Sequence, residues 1–174
     1  MNLAIFGGSF DPVHIAHEQI VYKALESFDI DKLEIVPTYL NPFKSSYDLS
    51  PKKRYELLVK TFQENEKINI CDFEIKQNKK VASIKTVLYL KQQYNPSKIY
   101  LIIGADNLIN LHKWYKIDEL KKLVEFIIVT RPGYNLDINK NFKVLNVSID
   151  ISSTKLRDKV NMDFIPKKIR EEFK

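Results

Sequence analysis

Leu3-Ala4-Ile5-Phe6-Gly7-Gly8-Ser9-Phe10-Asp11-Pro12-Val13-His14-Ile15-Ala16-His17 holds an apolar run, a pair of glycines, a polar turn and the start of a helical pattern. The run reads as a strand stopped by Gly7-Gly8. Past Pro12, apolar residues recur at helical spacing at Ile15, Ile20, Val21, Leu25 and Phe28. Two glycines after a strand let a ligand approach the backbone, Ser9 adds a hydroxyl, and the free amides at a helix start favour an anion. His14 and His17 are three apart, so on a helix they share a face, and both imidazoles can address one phosphate chain.

Working outward, strands and helices keep alternating, which predicts an α/β fold with a mainly parallel sheet. Leu33-Glu34-Ile35-Val36 reads as a second strand ending at Pro37. Ser50 and Pro51 mark a helix start, as cap and first turn, with the helix running to about Asn65. Ile68 to Ile75 reads as a strand and Ser83 to Tyr94 as a helix. The continuous apolar run Ile99-Tyr100-Leu101-Ile102-Ile103 fits a central strand buried on both faces. Asp118 to Val124 follows as a helix, Phe126 to Val129 and Lys143 to Val147 as strands, and helices follow Ile151 and Pro166. No repeat or linker interrupts residues 1–174, which read as one domain with C-terminal helices from about 152.

The length of 174 residues suits one such domain, and a hydrophobic fraction of 44% is ordinary for a globular chain. The net charge of +6 fits anionic partners without choosing among them. Basic clusters such as Lys52-Lys53-Arg54, Lys121-Lys122 and Lys167-Lys168 read as solvated surface charge. Cys71 is the single cysteine, so no internal disulfide forms. It reads as an inert core thiol in a reducing compartment. No signal peptide is evident, and no apolar run approaches the roughly 20 residues that span a bilayer. These features place the protein in the cytoplasm, with no membrane partner.

Ligands of open parallel sheets bind beyond the carboxyl ends of strands. Three polar clusters fall there: Gly7 to His17, Gly104-Ala105-Asp106 and Ile151 to Arg157. The first is neither a Gly-x-x-x-x-Gly-Lys-Ser/Thr loop nor a three-glycine dinucleotide fingerprint. A zinc site built on His14 and His17 lacks the four-residue step with a glutamate between, and only His112 and Cys71 remain as further ligands. No protein metal site is expected, and His112 reads as a surface residue.

The first cluster closely resembles Gly-Gly-Ser/Thr-Phe-Asp-Pro-x-His-x-Gly-His, the signature of a nucleotidyltransferase superfamily that includes nicotinate-nucleotide and pantetheine-phosphate adenylyltransferases. Ala16 stands where glycine is usual. Ile151-Ser152-Ser153-Thr154-Lys155-Leu156-Arg157 matches its second motif, Ile-Ser-Ser-Thr-x-x-Arg. Further segments resemble the bacterial nicotinate-nucleotide adenylyltransferases: Ile102-Ile103-Gly104-Ala105-Asp106 with Trp114-Tyr115, Arg131-Pro132-Gly133-Tyr134, Asn41-Pro42-Phe43-Lys44 and the helix led by Arg54. The similarity runs from Met1 to about Val160. Phe43 replaces the usual histidine, and Val81-Ala82-Ser83-Ile84-Lys85-Thr86 lacks the tyrosine of Ser-Tyr-Thr-x-x-Thr.

The resemblance implies a Rossmann-like, doubly wound sheet with helices on both faces. It also implies transfer of AMP from ATP to nicotinate mononucleotide, with Mg2+ arriving on the ATP. His14 and His17 are then the catalytic pair. Gly7, Gly8, Ser9, Phe10, Gly104, Asp106, Ile151, Ser152, Ser153 and Arg157 would hold ATP, with Asp106 either on the ribose or as a helix N-cap. Trp114 would stack on the pyridine ring, though a lone tryptophan also suits the core. Tyr115, Ser83 and Thr86 would recognise the carboxylate, while Lys44 and Arg131 are either phosphate ligands or surface charges. The rivals are another enzyme of the superfamily, taking nicotinamide mononucleotide or phosphopantetheine, and a non-catalytic nucleotide binder. No aromatic-basic pattern supports a nucleic-acid partner, and the oligomeric state is left open.

Overall fold

The computed structural model describes residues 1–41, 44–132 and 142–174. Pro42, Phe43, Gly133 and Tyr134, part of two segments singled out in the sequence, lie outside the described residues.

The apolar run that opens the chain forms β1 (Asn2–Gly8), and the helical pattern after Pro12 forms α1 (Ile15–Ser27). The alternation then yields β2 (Lys32–Pro37), α2 (Pro51–Phe62), β3 (Ile68–Ile70), α3 (Phe73–Lys76), α4 (Ser83–Tyr94) and β4 (Lys98–Gly104). A 3-10 segment, Ala105–Lys113, leads to α5 (Ile117–Leu123), β5 (Glu125–Thr130), β6 (Lys143–Asn146) and α6 (Ser153–Asp158). Two short 3-10 segments, Met162–Phe164 and Lys167–Phe173, follow.

Among the described residues all strand pairs are parallel, and the sheet order is β3-β2-β1-β4-β5-β6. The chain winds outward from β1 in one direction, then returns beside it and winds the other way. The switch point therefore lies between β1 and β4, where open sheets of this kind bind ligands. Because side chains alternate along a strand, the sheet buries both faces. Ala4, Phe6, Leu33, Ile35, Ile102 and Ile127 pack under α1, α2 and the C-terminal segments. Leu3, Ile5, Val36, Leu101, Ile103 and Ile128 pack under α4 and α5. The Rossmann-like arrangement expected from the sequence is what forms.

The strand expected over Ile68 to Ile75 is shorter. β3 ends at Ile70 and the chain turns into α3. Cys71 still donates its amide to Ile35 O at 2.8 Å. Asp72 then pairs with Lys76 at 2.9 Å, an i,i+4 ion pair available only on a helical turn. Burial pushes the Cys71 thiol up to about 11, as an inert core thiol requires.

Arg54 corrects the reading of Lys52-Lys53-Arg54 as surface charge. Its side chain is 1% exposed. It donates to Ser9 O at 2.6 Å, Tyr39 O at 2.8 Å and Leu49 O at 3.1 Å. One guanidinium thus ties the turn after β1, the loop after β2 and the start of α2. Only a planar fork with several fixed donors satisfies three carbonyls in different directions.

Replacing Arg54 with Met keeps the volume and removes every donor. Charge-assisted bonds contribute about 1.5–3 kcal/mol each and do not add fully. Arg54→Met should therefore lose at least about 3 kcal/mol in denaturant unfolding. A loss below about 1 kcal/mol would show that these carbonyls are not held through Arg54.

Candidate active site

The two histidines meet at the start of α1. His14 is its N-cap, in extended conformation with φ −144° and ψ 170°, and His17 sits in the first turn. The His14 amide donates to His17 Nδ1 at 3.1 Å, and the His17 amide donates to His14 O at 2.9 Å. The imidazoles stack at 3.7 Å between centroids, with 21° between their planes. They share a face as the spacing predicts, although His14 caps the helix rather than lying within it.

Phe10 fixes this pair from below. Its ring packs edge-on against His17 at 4.8 Å and against Phe6 at 5.3 Å. It is 2% exposed, so only its backbone remains for a ligand. Its φ of 48° is a left-handed conformation that a bulky residue adopts only when its surroundings enforce it. A Cβ on Gly8 would meet the Phe10 ring at 3.1 Å, which is why glycine stands there.

Both imidazoles are neutral at neutral pH. Burial, then the nearby Arg131 charge, lowers His14 to about 3. His17 keeps an edge toward solvent but is crowded by Phe6, Phe10 and His14. Burial, His14 and Arg131 hold it well below the usual imidazole range. Since His17 Nδ1 accepts the His14 amide, its proton resides on Nε2, which is left to donate outward. His14 Nδ1 is buried without a hydrogen-bond partner among the described residues.

The second motif lands on the first. Ser153 Oγ donates to Pro12 O at 2.9 Å, and Arg157 Nη1 donates to Asp11 O at 2.7 Å. Arg157 also donates to Thr154 Oγ1 at 3.2 Å and pairs with Asp48 at 2.8 Å. Ser152 caps α6, accepting the Lys155 amide at 3.3 Å, and Ile151 is buried in the core. Asp11 is buried as well, and its carboxylate accepts the Asp48 and Leu49 amides at 2.9 and 2.8 Å. Lys44 joins this cluster. Burial and then the Arg157 charge lower its pKa, while Asp11 and Asp48 raise it. Arg131, just after β5, is near enough for its charge to act on both histidines.

Beside them, a cavity of about 430 Å³ opens at the switch point, with Gly7 and Gly8 on one side and Gly104 on the other. Ser83, Trp114 and Tyr115 line its far part. Trp114 belongs to both readings: it is half-buried against the α4–α5 core, and it walls the cavity. Its indole N–H is buried without a partner among the described residues. Asp106 is exposed in the first turn of the 3-10 segment. Gly104 takes the cap position, so Asp106 is not the N-cap. A Cβ on Gly104 would collide with the Asp106 carboxylate. His112 is exposed, as expected.

Thr86 does not line the cavity. It is buried and donates to Glu74 Oε1 at 2.6 Å. Glu74 is 5% exposed, lines the cavity and has its pKa pushed up by burial to about 7. Sequence reading missed Glu74, Arg54 and Asp11. A signal was available for Arg54 in the arginine-led helix of the resemblance and for Asp11 in its first signature.

A glycine turn at a switch point, a stacked histidine pair on a helix start and a serine-arginine turn docked against it define a nucleotidyltransferase-type site. The chain belongs to the cytidylyltransferase-like family, whose model matches residues 5–159. It is 60% identical over 172 residues to the probable nicotinate-nucleotide adenylyltransferase of Aliarcobacter butzleri strain RM4018, covering 99% of this chain and 94% of that protein. It is 50% identical over 172 residues to the protein of the same description from Campylobacter fetus subsp. fetus strain 82-40, with the same coverage. Its fold matches the Plasmodium falciparum nicotinic acid mononucleotide adenylyltransferase complexed with NaAD. The TM-score is 0.77 and the identity 23%, over 98% of this chain and 95% of that one.

The depressed histidines set a pH dependence. An unfolded histidine titrates near ~6.5, whereas folded His14 does so at about 3. The unfolded chain therefore binds more protons in that window, and stability falls as pH drops through it. For His14 the slope approaches about 1.4 kcal/mol per pH unit. Titration followed by 15N NMR should show both rings neutral at pH 5, with His17 protonated on Nε2. A charged ring at pH 6 would overturn this account.

Proposed function

We infer that the chain catalyses adenylyl transfer from ATP to nicotinate mononucleotide, giving nicotinate adenine dinucleotide and pyrophosphate. The observation that carries this reading is the docking of Ser153 on Pro12 and Arg157 on Asp11, which sets the second motif against the histidine turn. The relatives at 60% and 50% identity support the choice of substrate.

The attacking 5′-phosphate, with a second pKa near ~6, is already anionic at neutral pH. Its oxygen forms a bond to the α-phosphorus while the bond from that phosphorus to the pyrophosphate oxygen breaks. No strong base is needed. The work is to align two polyanions and meet charge as it develops. His17 Nε2–H donates to the transferring phosphoryl group as a neutral group, with His14 beside it. The backbone of Gly8, Ser9 and Phe10 adds amides. Positive charge comes from Arg131, Arg157 and Lys44 rather than from the imidazoles of the free protein. An arriving triphosphate offsets the Arg131 charge that helps keep both rings neutral, so binding favours their protonation. Arg157 reaches the phosphates by exchanging its Asp48 partner for them.

We assign Asp106 to the ribose hydroxyls and Trp114 to stacking on the pyridine ring, with Tyr115 at the cavity mouth. Ser83 and the first amides of α4 meet the ring carboxylate. Thr86 lies behind the wall, where its hydroxyl donates to Glu74. Mg2+ enters as the triphosphate's counter-ion, where it screens charge. Among the described residues no group of three or more His, Cys, Asp or Glu side chains converges as a metal site. None of the described helices is long and apolar enough to cross a membrane, and the cytoplasm is our proposed location.

Turnover with nicotinate and nicotinamide mononucleotides decides the substrate: the acid should be preferred, and an equal or reversed preference would remove the assignment. His17→Ala should cut kcat by about 10² or more with the fold retained, and near-normal turnover would contradict its role. Trp114→Ala should raise KM for the pyridine nucleotide about tenfold or more, since base–aromatic stacking contributes about 1–3 kcal/mol, with KM for ATP little changed. Unfolding of that variant would instead support a purely structural tryptophan.

A further inference from the structure

Glu74 is a buried acid that the reaction above does not use. It lies on α3, outside the sheet, and is one of the residues that line the cavity with Ser83 and Trp114. The one bond described for its side chain is from the Thr86 hydroxyl, on the first turns of α4. An acid in this position faces the same space as the ring substituent, on the reading proposed above.

We propose that Glu74 determines specificity for that substituent: its neutral carboxyl admits an anionic ring carboxylate, and its ionised form opposes it while tolerating an amide. The reason is electrostatic. Two carboxylates in one poorly hydrated cavity disfavour each other's charge, so one of them must hold a proton. The ring carboxylate is a strong enough acid to stay ionised, which leaves the proton on Glu74. An amide carries no charge and donates hydrogen bonds, so an ionised Glu74 can accept from it. Thr86 is then a positioning residue, because its hydroxyl favours the ionised form of Glu74 and sets where the balance falls.

The surroundings do not cancel this effect. Lys80, Lys113 and Tyr115 also line the cavity, all on its exposed rim. On its own segment Asp72 and Lys76 pair with each other. Behind it the Cys71 thiol stays protonated, raised by burial and by Glu34, Asp72 and Glu74. Glu34 is itself bonded by Tyr94 and Asn69 at 2.5 and 2.8 Å. Burial is the leading influence on Glu74, and it places the balance at about 7, within the working range of a neutral-pH enzyme.

The test is the ratio of kcat/KM for nicotinate over nicotinamide mononucleotide between pH 6 and 9 at saturating ATP. Both substrates carry the same phosphate, so its titration cancels in the ratio. Above pH 7 the neutral fraction of Glu74 falls, and the ratio in the native protein should drop by up to about tenfold per pH unit. Glu74→Gln, a neutral isostere, should hold the ratio constant and exceed the native ratio by about tenfold or more at pH 8.5. Thr86→Val removes the bond that favours the ionised form, so the drop should move to higher pH. That shift decides the matter if Glu74→Gln proves unstable. A flat ratio in the native protein with turnover of the acid intact, or a Glu74→Gln profile that follows the native one, overturns this inference alone. Absence of turnover with the acid overturns the substrate reading and this inference with it.

Discussion

The site depends on one constraint: the irregular backbone after β1 must have its buried polar groups satisfied without a helix or strand ladder. Buried carbonyls left unpaired are costly, and this turn cannot pair its own. Its partners come from distant parts of the chain. Arg54 of α2 takes Ser9 O, and Arg157 of α6 takes Asp11 O. The Asp11 carboxylate in turn takes two amides of the loop that precedes α2. Ser153 closes the set on Pro12 O. The turn is therefore held by a ring of long-range hydrogen bonds, and the histidine pair inherits its position from it.

On the proposed reading, that arrangement gives the second motif a role in binding as well as in holding the turn. Arg157 holds the glycine turn with one nitrogen and keeps others for a partner that can change. Asp48, an exposed carboxylate, is such a partner, and an ion pair with one end this open to water holds only weakly. Exchanging it for a polyphosphate costs little and gains a charge-assisted contact. Gln19 helps to deliver the motif. From α1 it bonds the amides of Ser148 and Ile149 and the Ser148 hydroxyl, fixing the path from β6 to α6.

The sequence made the sheet legible because hydrophobic period and punctuation suffice for it. The continuous run at Ile99–Ile103, the glycines at 7, 8 and 104 and the Ser50-Pro51 start all mark what forms. The histidine pair was legible because its two members are local. What escaped notice has partners far away in the chain. Arg54 stands after two lysines and looks solvated, and nothing local says that three carbonyls await it. Glu74 sits in a polar stretch that reads as a strand end, and its burial comes from α4, twelve residues on at Thr86. The short α3 is hidden for the same reason, since the Asp72–Lys76 pair competes with strand extension only once β3 is an edge.

Burial treats the two halves of the site in opposite directions, and the result is the same on both sides. It lowers the imidazoles under the phosphate turn and raises the carboxyl in the ring cavity. Desolvation disfavours whichever form is charged, so the free protein holds its bases unprotonated, and its buried acid near the point where it keeps its proton. On the proposed reading, the polyanion meets Arg131, Arg157 and Lys44. An anion entering this site favours the protonated form of all three groups, so binding moves the imidazoles and the carboxyl in the same direction.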